Sequence, residues 1–401
     1  MRVLTVGNSF PPHDLGGGYE AVWAGAVRHL EGHGHEVRVL TVQRARGEPL
    51  PEVADTHRDL RWYWRDHAFP RTTVRECLAI ERHNISVLKR HVADFDPDVV
   101  SWWSMGGLSM SLVEVGRRLG LPAVAFVHDD WLDYGPRVDA WHRCARRRRF
   151  PPVLLERLLR VPGRVPFGAA AHYAFVSETT RAHARKRIEL PDTSVLTSGI
   201  APAFAPAPER EWQGRLLCVG RIDPRKGLAS AVEALAHLPG MTLRIAGTGP
   251  QEALEHLEQL ATSLGVADRV DFAGQVSAER LPDEYAGADA VLFPVLWSEP
   301  WGLVPLEAMA TGRPVVATGR GGSGEYLVDG VNALLYPAGE ATELAECVRR
   351  LAADPALRSS LRQAGLATAP LHTAARFNDG VERKLSARAH DGECADGEVR
   401  Q

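Results

Sequence analysis

Short apolar runs punctuate the chain, each followed by a loop rich in glycine, proline or polar residues and then by apolar positions at helical spacing. The first covers residues 2–7, and others fall at 36–42, 98–103, 122–127, 172–176 and 194–197. After Ala201-Pro202-Ala203-Phe204-Ala205-Pro206-Ala207-Pro208 the rhythm restarts at 215–219, 241–246, 270–276, 290–296 and 314–317, with a last strand after a turn at 329–335. Runs this short and apolar on both faces predict strands buried in parallel sheets. Helices are predicted over 19–30, 73–92, from Ser177 onward, up to His237, from Pro250 onward, between Ser298 and Thr311-Gly312, and across 340–367, with an amphipathic piece at 375–385. Alternating strand and helix means an α/β fold with doubly wound sheets. The Pro/Ala stretch sustains neither helix nor sheet and reads as a linker. The predicted organisation is a Rossmann-like domain over 1–200, a second over 201–370, a C-terminal helix over 371–388 and a disordered tail over 389–401.

Composition narrows the classes. With 401 residues, 45% hydrophobic and 24% charged, the chain reads as soluble and globular, large enough for two cores. A net charge of -3 argues against a dedicated nucleic-acid binder. No apolar run has the length of a membrane span, and the N-terminal residues read as a first strand rather than a signal peptide. The five cysteines are scattered and form no CxxC pair, which points to a reducing cytoplasm and away from structural zinc. Only four of the 47 basic residues are lysine, so Lys226 stands out in a chain that otherwise uses arginine.

The richest chemistry lies in Ser298-Glu299-Pro300-Trp301-Gly302-Leu303-Val304-Pro305-Leu306-Glu307-Ala308-Met309-Ala310, behind the apolar run 290–296. Glu299 is expected at a helix mouth and Glu307 about two turns in, roughly 12 Å away along the axis. That exceeds the roughly 5 to 9.5 Å of a glycosidase acid/base pair. It suits two ends of an extended polyhydroxylated ligand, with the free amides at Trp301, Gly302 and Leu303 facing phosphate or sugar oxygens between them. The plainer account makes Glu299 a cap and Glu307 a solvated side chain. Gly220-Arg221-Ile222-Asp223-Pro224-Arg225-Lys226-Gly227, at the end of another run, is built for a diphosphate: arginine grips two oxygens and lysine adds a point charge. Gly16, Gly17 and Gly18 open a helix after the first run and let amides approach an anion, although the loop also reads as merely flexible. They do not form a GxGxxG fingerprint. His128, at the end of 122–127, sits where open sheets bind ligands, or is structural. Asp129 and Asp130 beside it orient it or read a second substrate. The segment from Tyr134 to Trp141 is expected to be a loop that aromatic faces would offer to a sugar. Asp94-Phe95-Asp96-Pro97-Asp98 lacks the glycine and glutamate of a calcium loop and reads as a helix end, a turn and a strand. Between Arg143 and Arg187, twelve basic residues face two acidic ones, a surface for an anionic acceptor or a bilayer, or a solvated arginine-rich face.

Glu-x7-Glu with Gly-Leu inside and Glu-Ala-Met-Ala at its end resembles the signature of retaining GT-B glycosyltransferases of family 4 (glycosyltransferase group 1). The resemblance spans nearly the whole chain and is strongest over 220–330. It implies two Rossmann-like domains facing an interdomain cleft, the donor on the second, the acceptor on the first, and a last helix crossing back. It implies hexose transfer from a UDP- or GDP-linked sugar to a hydroxyl, with retention and without metal or other cofactor. Glu299 would hold the hexose, Glu307 the ribose, Arg221 and Lys226 the departing diphosphate, with His128 near the hexose. Gly220 belongs to the phosphate loop, the glycine loop after the first strand lies by the diphosphate, and Gly274, Gln275 and Val276 lie by the base. The sequence departs from the family at Gly324, where a proline is usual. Partners are then a sugar nucleotide and a hydroxyl acceptor, with no nucleic acid, peripheral membrane contact through the basic run and cytoplasmic placement. A sugar-nucleotide epimerase or hydrolase, or a non-catalytic sugar-nucleotide binder, would share the donor loops; an NAD-dependent oxidoreductase is disfavoured by the missing fingerprint.

Overall fold

The computed structural model describes residues 1–11, 17–43, 55–64, 69–147 and 152–399. The chain forms two compact units, Met1–Thr197 with Phe377–Gln401, and Ser198–Arg376. In the first, β1 (Arg2–Val6), β2 (Glu36–Val42), β3 (Asp55–Leu60), β4 (Val99–Trp102), β5 (Ala123–Val127), β6 (His172–Phe175) and β7 (Thr193–Val195) make one parallel sheet in the order β3-β2-β1-β4-β5-β6-β7. In the second, β8 (Arg215–Val219), β9 (Thr242–Ala246), β10 (Val270–Gly274), β11 (Ala290–Phe293), β12 (Val315–Ala317) and β13 (Leu334–Leu335) are parallel in the order β10-β9-β8-β11-β12-β13. Central strands such as β4, β5 and β11 are buried at every position, which is why their sequences are apolar on both faces. In each sheet the order reverses beside its first strand, between β1 and β4 and between β8 and β11. Ligands of such sheets bind outside the carboxyl ends at that switch point.

Several expectations change. The edge strand β3 reads Asp-Thr-His-Arg-Asp-Leu and buries only Leu60, so no apolar run announces it. The segment from Tyr134 to Trp141, expected as an aromatic loop toward an acceptor, falls in two helices, Trp131–Val138 and Ala140–Arg147. Trp131 and Trp141 are buried in the core, and the Trp141 indole donates to the Pro162 carbonyl at 2.7 Å. Gly135-Pro136 looks like a turn, yet Trp131, Leu132 and Gly135 form the buried face of the helix. Asp94 and Asp96 are paired with Arg38 and Arg2, each at 2.7 Å, and Asp96 caps the helix Val74–Phe95 in a left-handed conformation. The Pro/Ala stretch packs on the second unit: Phe204 meets the Tyr285 ring edge-on at 5.5 Å, and the Ala207 and Pro208 carbonyls accept from Arg362 and Arg313. The C-terminal helix runs Ala374–Val399, through most of the tail expected to be disordered. Phe377, Val381 and Leu385 anchor it in the core of the first unit, and extending an anchored helix is far easier than nucleating one. Among the described residues, no helix is long and apolar enough to cross a membrane.

Candidate active site

The loop leaving β8 turns at Gly220, whose amide donates to the Ala246 carbonyl at 3.0 Å, and carries Arg221 outward, exposed. Asp223 then caps a single tight turn, Pro224–Lys226, accepting from the Arg225 amide at 2.9 Å. The Arg225 guanidinium bonds the same carboxyl and holds it down at about 2. Gly227 follows with φ of 68°, and a Cβ there would lie 1.9 Å from the Pro294 carbonyl oxygen. This close approach requires glycine. It brings the loop after β8 against the loop after β11, so that Lys226 Nζ lies 2.8 Å from Glu299 Oε2. Trp297 Nε1 donates to the same oxygen at 2.7 Å, and its ring lies under the Arg225 guanidinium at 4.6 Å. Gly220, Arg221, Lys226, Phe293, Pro294 and Val295 line one small recess at this switch point.

Glu299 is not a helix cap. Residues preceding proline avoid helical backbone, and Pro300 follows it. Glu299 instead forms a β-bridge with Gly321, and its carbonyl accepts from the Gly322 amide at 2.7 Å. The helix starts later, at Leu303–Ala310, behind Gly302 with φ of 86°. Glu307 therefore lies about one turn in, not two, and a helical rise does not measure its distance from Glu299. Of the four amides at that helix start, Pro305 supplies none. Trp301 turns its side chain inward, 4% exposed, and donates to the Ser198 carbonyl at 2.9 Å, so only its backbone faces the loop. Glu307 accepts a hydrogen bond from the buried Tyr285 hydroxyl, and burial pushes its carboxyl up to about 7. Gly274 ends β10 with φ of 67°; Gln275 beyond it is exposed and Val276 half-buried.

The remaining candidates belong to the first unit. Gly16 lies outside the described residues, as do Arg148 and Arg149 of the basic run. Gly17 is the extended residue before the helix Gly18–Gly32, which Gly18 begins. His128 follows β5 with its ring stacked on Trp103 at 5.6 Å and near Tyr19 and Phe377 at 5.6 and 5.4 Å. Burial among these rings pushes the imidazole down to about 3, so it is neutral at pH 7. Burial raises the Asp129 carboxyl to about 6, although Asp129 accepts from Tyr134 at 2.7 Å. Asp130 pairs with His183 at 3.8 Å. Part of the basic run is paired, Arg181 to Glu178 and Arg187 to Asp133.

Thus Gly220, Arg221, Lys226 and Glu299 converge on one switch point, Glu307 lies on the helix behind it, and Gly17, Gly18 and His128 belong to the other unit. Sequence reasoning missed Trp297, Tyr285 and Gly321. Trp297, two residues before Glu299, was legible as a candidate donor; Tyr285 and Gly321 carry no local signal for their partners.

Comparison with known proteins fits this geometry. Sucrose-phosphate synthase from Thermosynechococcus elongatus superposes with a TM-score of 0.74 at 22% identity, covering 96% of this chain and 100% of that one. HepE of Anabaena, solved in complex with UDP-glucose, gives 0.68 at 19% identity, covering 96% and 100%. These likenesses define the fold as GT-B. A family model described as Glycosyltransferase Family 4 matches residues 16–204, and one described as Glycosyl transferases group 1 matches residues 203–367. The chain belongs to the family 4, group 1 glycosyltransferases. Among sequence relatives, a lipopolysaccharide core biosynthesis glycosyltransferase, LpsE, of Rhizobium meliloti is 37% identical over 37% of this chain and 43% of its own. A GDP-mannose-dependent phosphatidylinositol monomannoside mannosyltransferase of Mycolicibacterium smegmatis is 36% identical over 40% and 47%. The matched stretch thus spans less than half of either relative.

Proposed function

We propose that this protein transfers a hexose from a nucleoside diphosphate sugar to a hydroxyl acceptor with retention of anomeric configuration and without a metal ion. The observation that carries the reading is the Lys226–Glu299 contact of 2.8 Å beside Gly220 and Arg221. One carboxylate and two cations at a switch point match a ligand that presents hydroxyls next to a diphosphate. As the bond from the anomeric carbon to the diphosphate breaks, negative charge grows on the departing oxygen; Lys226 and Arg221 stabilise it. The acceptor oxygen bonds to the same carbon from the same face, and its proton passes to the departing phosphate. Glu299 orients the hexose hydroxyls, Glu307 accepts from the ribose, and His128 serves as a neutral hydrogen-bonding group toward the sugar. A UDP or GDP sugar is supported by the relatives that use one or the other. The arginine-rich face supports an anionic or membrane-borne acceptor.

The test is thermal shift with UDP, GDP, TDP and NAD, then turnover with matching sugar nucleotides, with and without EDTA. A nucleotide at a hundred times its Kd stabilises the fold by about 2.7 kcal/mol. Stabilisation by NAD alone, or turnover abolished by EDTA at a temperature where the treated protein stays folded, refutes the reading.

Glu307 adds a pH prediction. With its carboxyl raised to about 7, the free protein at pH 6 holds it mostly protonated. Ribose hydroxyls donate to the ionised form, so binding favours deprotonation and affinity rises with pH. From pH 6 to 8, Kd for the preferred nucleoside diphosphate is expected to fall about tenfold. Tyr285→Phe removes a donor that favours the carboxylate and moves the midpoint upward. Calorimetry across this range checks both, and a flat profile would remove Glu307 from the ribose.

A further inference from the structure

We infer that the first unit holds a divalent transition-metal ion, zinc being the best match, between the end of its first helix and the C-terminal helix. His29 and His33 stand four residues apart on and just beyond Gly18–Gly32, a spacing that puts both rings on one face. Their ring centroids are 4.1 Å apart. Across from them, Asp379 and Glu382, three residues apart, share a face of the C-terminal helix. His29 Nε2 lies 3.0 Å and His33 Nδ1 2.7 Å from one oxygen, Glu382 Oε2. Asp379 Oδ1 is 3.6 Å from His29 Nε2. One ligand atom each from His29, His33 and Glu382 falls within 4.8 Å of the others.

Two imidazoles and the Glu382 carboxylate, with the Asp379 carboxylate beside His29, offer ligand atoms and negative charge to a divalent cation. Imidazole nitrogen with carboxylate oxygen is a donor set that suits zinc, and tetrahedral zinc with bonds of about 2.0–2.1 Å separates its ligands by about 3.3 Å. The His29 and His33 contacts with Glu382, at 3.0 and 2.7 Å, open by about 0.3 and 0.6 Å as the ion comes between nitrogen and oxygen. His35 Nε2 meets the other oxygen, Glu382 Oε1, at 3.0 Å, and so orients the ligating carboxylate from behind, as outer-shell partners of metal ligands do. His29 stands about 16 Å along the helix from Gly18, so the ion is structural: it fastens the C-terminal helix to the first unit.

The experiment uses the full chain, freed of metal by chelator and dialysed to pH 7.5. Titration with zinc chloride should show one site with Kd of micromolar or tighter. At a hundredfold excess over Kd, Tm should rise by about 5 °C or more, and cobalt(II) should give the visible absorption of a four-coordinate site. His33→Gln, at a half-exposed position the fold tolerates, should weaken zinc at least tenfold, and a His29→Gln, His33→Gln double variant should lose both the Tm response and the cobalt spectrum. Absence of zinc binding below about 100 µM overturns the proposal. So does a site that survives the double variant and disappears in His91→Gln, which would move the ion to the His57, Asp59 and His91 group.

Discussion

Lys226→Ala is expected to lower kcat/KM for the sugar nucleotide about a hundredfold. Loss of one preorganised donor to a developing oxyanion commonly has an effect of this size, equivalent to about 2.7 kcal/mol of barrier. The ammonium reaches the site because Gly227 lets its loop close on Pro294, and it touches Glu299 directly. Lys226→Arg should restore only part of the rate, since a planar fork replaces a compact charge between Glu299 and Trp297. Glu299→Gln keeps an oxygen for the Lys226 and Trp297 donors and loses the charge, with an expected drop of at least about tenfold. Initial rates over a range of donor concentrations decide the matter. Near-wild-type rates in both Lys226→Ala and Glu299→Gln would end the assignment of these roles.

The second large effect is expected from a residue that touches no substrate. Gly321 adopts φ of 74° and ψ of -143°, a region open essentially to glycine alone. A Cβ there would lie 2.3 Å from the Glu299 carbonyl oxygen and 2.5 Å from its amide nitrogen. Gly321→Ala should therefore destabilise the fold by about 2 kcal/mol or more, lower Tm by about 5 °C, and displace Glu299 enough to cut turnover at least about tenfold. Gly330→Ala is the control: φ is 69°, with nothing within 4 Å of the added carbon. It should show backbone strain of about 1 kcal/mol and normal turnover at a temperature where both variants are folded. Equal activity in the two would mean that the bridge does not position the carboxylate.

Most of the framework was legible because buried parallel strands must be apolar on both faces and the loops between them must carry glycine and proline. The elements around the 290–296 run and the 220–227 loop follow from that rule. It fails where burial is not the organising force. β3 survives at an edge with a polar sequence, held by its ladder to β2. Trp141 looked like a sugar platform, since an indole has the same composition in a core as on a surface. In the candidate site, Glu299, Lys226 and Arg221 were readable because charge at a strand end is chemically informative. The contacts of Glu307 with Tyr285 and of Glu299 with Gly321 join residues 22 positions apart in each case, and no local pattern encodes such a pairing. The His29, His33 and Glu382 convergence is more distant still, and a search for metal motifs built on cysteine passes it by.

The bridge at Gly321 also bears on redesign. The Glu299 backbone is located by the main chain of Gly321 and Gly322 and its carboxylate by Lys226 and Trp297, so Ser298, which takes part in neither, is open to substitution without moving it. A library confined to position 298 would vary which sugar is accepted on a scaffold whose anchoring point stays put.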